Sequence, residues 1–411
     1  MNRPIAIVLG GTLPHKDLII KLKNRGFKTV LIDYYENPIA KECTDIHLQE
    51  STLDKEKVLK IAREYNARLV ISIYIDQANV TACYVSEKLG LPHPYSYETA
   101  LLITNKQLMK QRMLEYGIPT SRFYKINSVS DISDMTLTYP VIVKPSDNNS
   151  SKGIHKVTRK ADLPRFCEIA LQLSRCNEAI VEEFIEGQEV GVDCFIKDKS
   201  PTILITKERR KIKSIENDVQ QIFGCFWPAS LSSNIENKFV EIARKIAYSF
   251  NLNNTPLMIQ AIVHEDEINV IEFAGRYGGG ESFRIIKLST EFDTTQSAID
   301  SFLGNDVELN NVPPKYIYAE NFIYCKPGIF QEIVGYEKLI EDRTIEFIDA
   351  FKTKGMEIES KLTSNNRVGV LGIKADNKNT LVQKIEKALK EIDVLDINDK
   401  SIMREDIYEI T

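Results

Sequence analysis

The sequence has no apolar run of eighteen or more residues, the length a membrane-spanning helix needs, and it moves straight from its start into an apolar strand. Both features argue against a membrane span and a signal peptide. Histidine is scarce: the five residues are isolated, and none has H-E-x-x-H spacing. The seven cysteines form no C-x-x-C pair; they read as reduced, mostly buried thiols of a cytoplasmic protein rather than as a disulfide framework or zinc site. Neither G-x-x-x-x-G-K-[ST] nor G-x-G-x-x-G occurs, which argues against a P-loop kinase and a nicotinamide dinucleotide fingerprint. A net charge of −5 argues against nucleic acid as the main partner. The one dense basic run, Lys207–Lys213, has the composition of a solvated face, and it is also one of the stretches where substrate specificity would lie.

What remains is the composition of a globular protein, 43% hydrophobic and 27% charged. A chain of 411 residues has room for two or three domains, each with its own core. Residues 1–97 alternate strand and helix, the pattern of a parallel sheet wrapped by helices: strands at Ile5–Leu9, Thr29–Ile32 and Leu69–Ile73, helices at Asp54–Asn66 and Asn79–Leu89. Gly10-Gly11 after the first strand and Asp33 after the second are a weak hint of a dinucleotide site; a bare Rossmann-like scaffold is the simpler reading. Asp76 lies just past a strand's C-terminal end, where it could face a ligand across a crevice. Leu91–Tyr97 is a proline-marked linker.

The stretch Leu257–Glu281 concentrates the chemistry. It reads as two apolar strands, Leu257–Val263 and Ile268–Phe273, yet Gln260 and Glu272 sit inside them. Polar groups there are costly unless something satisfies them. A three-residue loop, Glu265–Glu267, pairs His264 with Ile268 and places Gln260 opposite Glu272, so both could offer oxygens to one cation. Arg276 and the glycines Gly278–Gly280 follow, a fixed positive charge and a backbone open to close approach. A core hairpin with a salt-bridged glutamate explains the same residues equally well in isolation.

Other signals are weaker singly. A helix beginning at Thr104 carries Leu108, Met109, Met113 and Tyr116 on one face and Lys106 in its first turn, where a cation opposes the helix dipole unless an anion visits. Lys144 ends the strand Tyr139–Pro145, and Ser146–Gly153 is a small polar loop able to fold over an anion. Ala179–Ile185 and Glu189–Ile196 read as a hairpin around Gly187, with Glu182 and Glu183 oddly placed in an apolar strand. From about Pro313 the chain reads as a compact α+β end domain with no chemistry of its own.

In this order and context, Lys106, Lys144, Glu182–Ile185, Glu189, Gln260, Glu272 and Arg276 resemble the ATP-grasp superfamily, with the carboxylate–amine ligase and carbamoyl-phosphate-synthase-like branch most similar. The resemblance covers essentially the whole chain. It implies mixed α/β and α+β architecture: a Rossmann-like pre-ATP-grasp domain (1–97), a two-lobed nucleotide-binding domain (98–312, lid about 119–184), and a small C-terminal α+β domain (313–411) similar to that of biotin carboxylase. By the same resemblance, Lys106 and Lys144 contact ATP phosphates, and Ser150, Ser151, Lys152 and Gly153 form the lid loop. Glu182, Glu183, Phe184 and Ile185 are the adenine hinge, and Glu189 holds the ribose. Gln260 and Glu272 bind one or two magnesium ions, while Arg276, with Lys144, acts on the transferring phosphate. Ala274 departs from the family's E-x-N-x-R and removes a metal ligand; Glu281 is one residue that could compensate.

The implied activity is ADP-forming ligation of a small-molecule carboxylate to an amine through an acyl-phosphate. Arg276 and the Gly278–Gly280 loop would bind the acid, while Arg284 reads better as a salt-bridged arginine. Carboxyphosphate or formyl-phosphate chemistry and a non-catalytic ATP-binding module are the alternatives. A homodimer is one assembly the sequence leaves open.

Overall fold

The computed structural model describes residues 3–148, 153–212, 221–310, 312–359 and 363–408. The first unit comprises β1 (Ile5–Leu9), α1 (Leu13–Asn24), β2 (Lys28–Asp33), β3 (Ile46–Gln49), α2 (Lys55–Glu64), β4 (Ala67–Ile71) and α3 (Asp76–Leu89). Its strands are parallel in the order β3-β2-β1-β4. Ala6–Leu9, Val30–Ile32 and Leu69–Ile71 are wholly buried, the near-continuous apolar runs that a helix-covered parallel sheet requires. The edge strand β3 left no such mark, because Ile46, His47 and Leu48 are only partly buried. Asp33 is already engaged, since its carboxylate accepts the Gly11 N–H at 2.7 Å and the Tyr35 N–H at 2.9 Å. The glycine turn and the acid thus bond to each other, consistent with a scaffold rather than a ribose site.

After α4 (Tyr97–Leu102) and α5 (Lys106–Glu115), the chain builds a small lobe from β5 (Phe123–Ile126), β6 (Val141–Pro145), β7 (His155–Val157), α6 (Leu163–Leu173) and β8 (Ala179–Glu183). Its antiparallel sheet has the order β5-β8-β6-β7, with α6 packed against β6 and β8. Next come β9 (Gln188–Lys197), β10 (Ser200–Lys211), β11 (Ile222–Trp227), α7 (Ser233–Ser249), β12 (Thr255–His264), β13 (Glu267–Ala274), α8 (Ser282–Thr290) and α9 (Thr294–Leu303). The end region adds β14 (Ile317–Tyr324), β15 (Gly328–Val334), α10 (Glu337–Glu341), β16 (Phe347–Ala350), β17 (Glu357–Ile358), β18 (Arg367–Ala375), α11 (Lys378–Glu391) and β19 (Asp393–Asp396).

One eight-stranded sheet, β13-β12-β9-β10-β11-β14-β18-β16, runs across residue 312, so three strands of the end region extend the sheet of the large lobe. Among the described residues, β17-β15-β19 forms a separate sheet there. The parallel unit is tied to the large lobe where α1 meets α9, through Arg25–Asp300 at 2.6 Å and Lys21–Asp293 at 2.9 Å.

Three local expectations are corrected. β8 and β9 are not a hairpin: β8 pairs with β5 and β6, whereas β9 pairs with β10 and β12. The segment between them is the crossing from one lobe to the other. Gly187 makes the crossing at φ +145, with its Cα against Val263 O where a Cβ would collide. Second, α5 starts at Lys106, because the Asn105 side chain caps it by accepting from Gln107 N and Leu108 N. Third, α5 buries Lys106, Met109, Lys110 and Met113, while Leu108 and Tyr116 are exposed.

Candidate active site

β12 and β13 set the geometry. Gln260 and Glu272 are directly paired across the two strands. The connecting loop is two residues, not three, so His264 pairs with Glu267; a bulge between Gln260 and Ala261 then shifts the register and restores the Gln260–Glu272 match. Both residues line the junction of two connected cavities. The smaller, about 120 Å³, lies between the lobes and is bounded by Ile142, Ile154, Phe184, Ile185 and Ile262. The larger, about 310 Å³, reaches Asp76, the Gly278–Gly280 loop and Arg367. Ile154, Arg209, Gln260 and Glu272 line both.

In the smaller cavity, Ile185 lies beyond the last residue of β8, so its amide is not committed to the sheet. Lys156 stacks its ammonium 3.6 Å from the Phe184 ring centroid. Glu183 and Glu189 also line this cavity. Glu189 faces Arg209 at 2.8 Å and Lys211 at 3.0 Å, and accepts the Gln260 amide at 3.2 Å. Burial would raise its pKa, but the two cations outweigh that and hold it below the usual carboxylate range. Because the Gln260 NH2 is held by Glu189, its carbonyl oxygen is the group left for the cavity.

Lys144 is almost wholly buried and meets Glu182 at 2.5 Å. Lys106 places its ammonium 2.6 Å from Asn148 O and 3.4 Å from Glu272. Burial alone would raise the Glu182 pKa; Lys110 and Lys144 overcome this and pull it down to about 2. Gly153 adopts φ +74 beside Pro145 and Leu173, immediately before the cavity-lining Ile154. Ser150, Ser151 and Lys152 lie outside the described residues.

Arg276 is held in a two-pronged ion pair with Asp76, Nε–Oδ1 2.6 Å and Nη2–Oδ2 2.7 Å, and also donates to Tyr277 O. Burial works against its charge, but Asp76 more than compensates and raises its pKa. Arg284 does not line the cavity and pairs with Asp349 and Glu281. Glu281 is fully buried with neither oxygen hydrogen-bonded, and burial pushes its pKa up to about 8. It lines neither cavity and so does not replace the oxygen missing at Ala274.

The basic run, one of the stretches where specificity was expected to lie, is not a solvated face: Lys207, Arg209 and Lys211 alternate along β10 and point into the cleft. Lys207 lies between Gly191 and Gly278, where a Cβ at either position would collide with it, and bonds Asp193 and Ser282 at 3.0 Å each. The signal available was the K-x-R-x-K period of two. The end region contributes Glu320, Phe322 and Arg367, contrary to the expectation that it lacks chemistry. Nothing in the local sequence marks these residues, because β14 and β18 reach the cleft only through long-range sheet pairing.

Magnesium takes few protein oxygens, commonly one or two carboxylates, and completes its shell with water and phosphate. Glu272, one-third exposed, and the Gln260 carbonyl oxygen fit that requirement at the junction of the cavities. Among the described residues no cluster of three His, Cys, Asp or Glu side chains could hold a metal by itself, so the fit is to an ion that arrives with phosphate.

The two lobes thus face each other across a cation-lined cleft with an acid–amide pair between them. Residues 137–284 match the ATP-grasp domain family. The chain is 24% identical over 339 residues, 80% of each chain, to an L-arginine-specific L-amino acid ligase of Bacillus subtilis. Two other curated relatives are matched over 13% and 61% of their own lengths.

In structure the chain is similar to an L-amino acid ligase from Bacillus licheniformis, with TM-score 0.79 and 17% identity over 96% of this chain and all of that one. It is also similar to the biotin carboxylase domain of Hydrogenobacter thermophilus 2-oxoglutarate carboxylase, with TM-score 0.77 and 16% identity over 98% and 92%. At these identities the structures establish the fold. No helix among the described residues is long and apolar enough to cross a membrane.

Proposed function

We propose that this protein is an ADP-forming ligase that activates a carboxylate as an acyl-phosphate for attack by an amine or similar nucleophile. The observation that carries the reading is the opposed Gln260–Glu272 pair at the junction of two cavities, the smaller with an isoleucine-lined wall beside the crossing between lobes, the other larger and cationic. ATP would lie with adenine among Ile142, Ile154, Ile185 and Ile262 and with its phosphates toward Lys144, Lys106 and Arg209. Gln260 and Glu272 would hold magnesium, which when bound neutralises phosphate charge.

The acid would occupy the larger cavity. Lys106, Lys144, Lys207, Arg209 and Arg276 each face a carboxylate within 3.4 Å. Arg367 makes no direct carboxylate ion pair among the described residues, although its charge acts on the buried Glu320; it bonds Tyr324 Oη at 2.8 Å and stacks 3.8 Å over Phe322. A substrate carboxylate would give it a direct partner. One of its oxygens attacks the γ-phosphorus as the bond to ADP breaks. The amine nitrogen then attacks the acyl carbon, phosphate leaves, and the nitrogen loses its proton to phosphate or water. Arg276, oriented by Asp76, lies where charge accumulates on the transferred group.

The test is a coupled ADP-release assay over pools of carboxylates and amines. ADP formation that requires both an acid and an amine is expected; ATP binding with no turnover on any pool would favour a binding module.

A further inference from the structure

Lys110 has no place in the scheme above, yet it is among the most buried lysines of the chain, with 1% of its side chain exposed. It follows Lys106 by one helical turn on α5 but lines neither cavity. Its three ammonium protons find three acceptors: Thr120 Oγ1 at 2.6 Å, Ser121 Oγ at 3.0 Å and Glu182 Oε2 at 2.8 Å. The other Glu182 oxygen faces Lys144 at 2.5 Å. Ser121 also donates to Glu182, and Thr120 to Val270 O, two residues before Glu272. One carboxylate therefore bridges two lysines. Lys144 borders the nucleotide cavity, and Lys110 lies behind it.

The charge arithmetic decides what the arrangement does. Lys144 and Glu182 alone form a neutral pair whose field at a phosphate is that of a dipole. With Lys110 the triad carries one net positive charge, in a setting that solvent screens weakly. We propose that Lys110 is a positioning residue for nucleotide binding: it neutralises Glu182, leaving the charge of Lys144 available to the phosphates. This rests on the nucleotide-clamp reading given above. Burial lowers the pKa of Lys110, the ordinary cost of holding an ammonium away from water, and Glu182 opposes that shift. A group kept charged at such a cost, with no substrate in reach, is explained by the charge it cancels.

A purely structural role and a charge-compensating role predict opposite outcomes in a double variant. Lys110→Met makes the triad neutral; adding Glu182→Gln restores a single positive charge, now carried by Lys144 alone. Binding of ATP with magnesium is measured by calorimetry on full-length protein, with folding followed by thermal unfolding. Wild-type protein that binds no ATP overturns the nucleotide reading and this proposal with it. Given wild-type binding, Lys110→Met is expected to weaken affinity at least about tenfold, Lys110→Arg to stay within about threefold of wild type, and the double variant to bind at least about threefold more tightly than Lys110→Met.

A double variant as weak as Lys110→Met, or weaker, overturns the proposal while leaving the nucleotide site intact. If Lys110→Met does not stay folded, the double variant is compared with Glu182→Gln alone, which leaves two lysines and no carboxylate. Equal or tighter ATP binding by the single Glu182→Gln variant supports charge compensation, and binding at least about tenfold weaker than that of the double variant overturns it.

Discussion

Asp76 and Arg276, 200 residues apart in the chain, meet in a two-pronged ion pair with contacts of 2.6 and 2.7 Å. Asp76 is the first residue of α3 in the parallel unit, whereas Arg276 follows β13 in the large lobe. The orientation of the arginine is therefore set by α3, far in sequence from the strand the arginine follows. Asp76→Asn keeps the shape and removes the charge. It is expected to lower kcat at least about tenfold, equivalent to roughly 1.4 kcal/mol, with the KM for ATP little changed. Steady-state kinetics checks this; an unchanged kcat contradicts a positioning role for Asp76.

Arg367 should affect the acid and not the nucleotide. Arg367→Met keeps an unbranched apolar side chain and removes the guanidinium that stacks on Phe322. The KM for the carboxylate substrate is expected to rise about tenfold or more, while ATP affinity stays within about twofold. Equal losses for both ligands would place Arg367 in general support of the fold.

Glu272 is the only carboxylate in the inferred metal pair. Glu272→Gln leaves two amides, so the magnesium concentration for half-maximal ADP release should rise several-fold, and excess magnesium should recover part of the rate. Titration of magnesium at saturating ATP measures this. An unchanged midpoint moves the metal elsewhere.

Two buried glutamates give opposite pH signatures. Glu281 titrates at about 8 in the folded protein against an ordinary 4.5. Between those values the folded state holds a proton that the unfolded state has released, so stability falls as pH rises from 4.5 to 8 and then levels. Glu182, at about 2 against 4.5, contributes stability above pH 4.5 that is lost as pH falls through 2. Urea unfolding across pH should show Glu281→Gln gaining on wild type toward pH 8. No pH-dependent gain would mean that Glu281 is charged in the fold.

The central pair was legible because polar residues interrupted apolar strands: Gln260 and Glu272 stand out in L-M-I-Q-A-I-V and I-N-V-I-E-F. The pairing followed even though the loop is one residue shorter than expected, because the bulge compensates. The parallel unit's buried runs were readable in this way, but the buried face of α5 was not, since Leu108 and Tyr116 are exposed there. Nor was sheet membership. Ala179–Glu183 and Gln188–Lys197 look like a hairpin in sequence, and only their partners in two different sheets separate them. Lys110 has the appearance of any surface lysine on a helix; its burial comes from Thr120, Ser121 and Glu182 closing over it. Arg367 reaches the cleft because β18 joins β14 in the large sheet, a pairing that no local pattern encodes.

The acyl-phosphate route is tested most directly by following one oxygen atom. Once an acid substrate is found, its carboxylate is labelled with heavy oxygen and the phosphate released in a complete turnover is weighed. Attack of the carboxylate on the γ-phosphorus carries one labelled oxygen into that phosphate, with ADP as the other nucleotide product. Unlabelled phosphate, or AMP and pyrophosphate in place of ADP and phosphate, would contradict the mechanism even with the ATP-grasp fold unchanged.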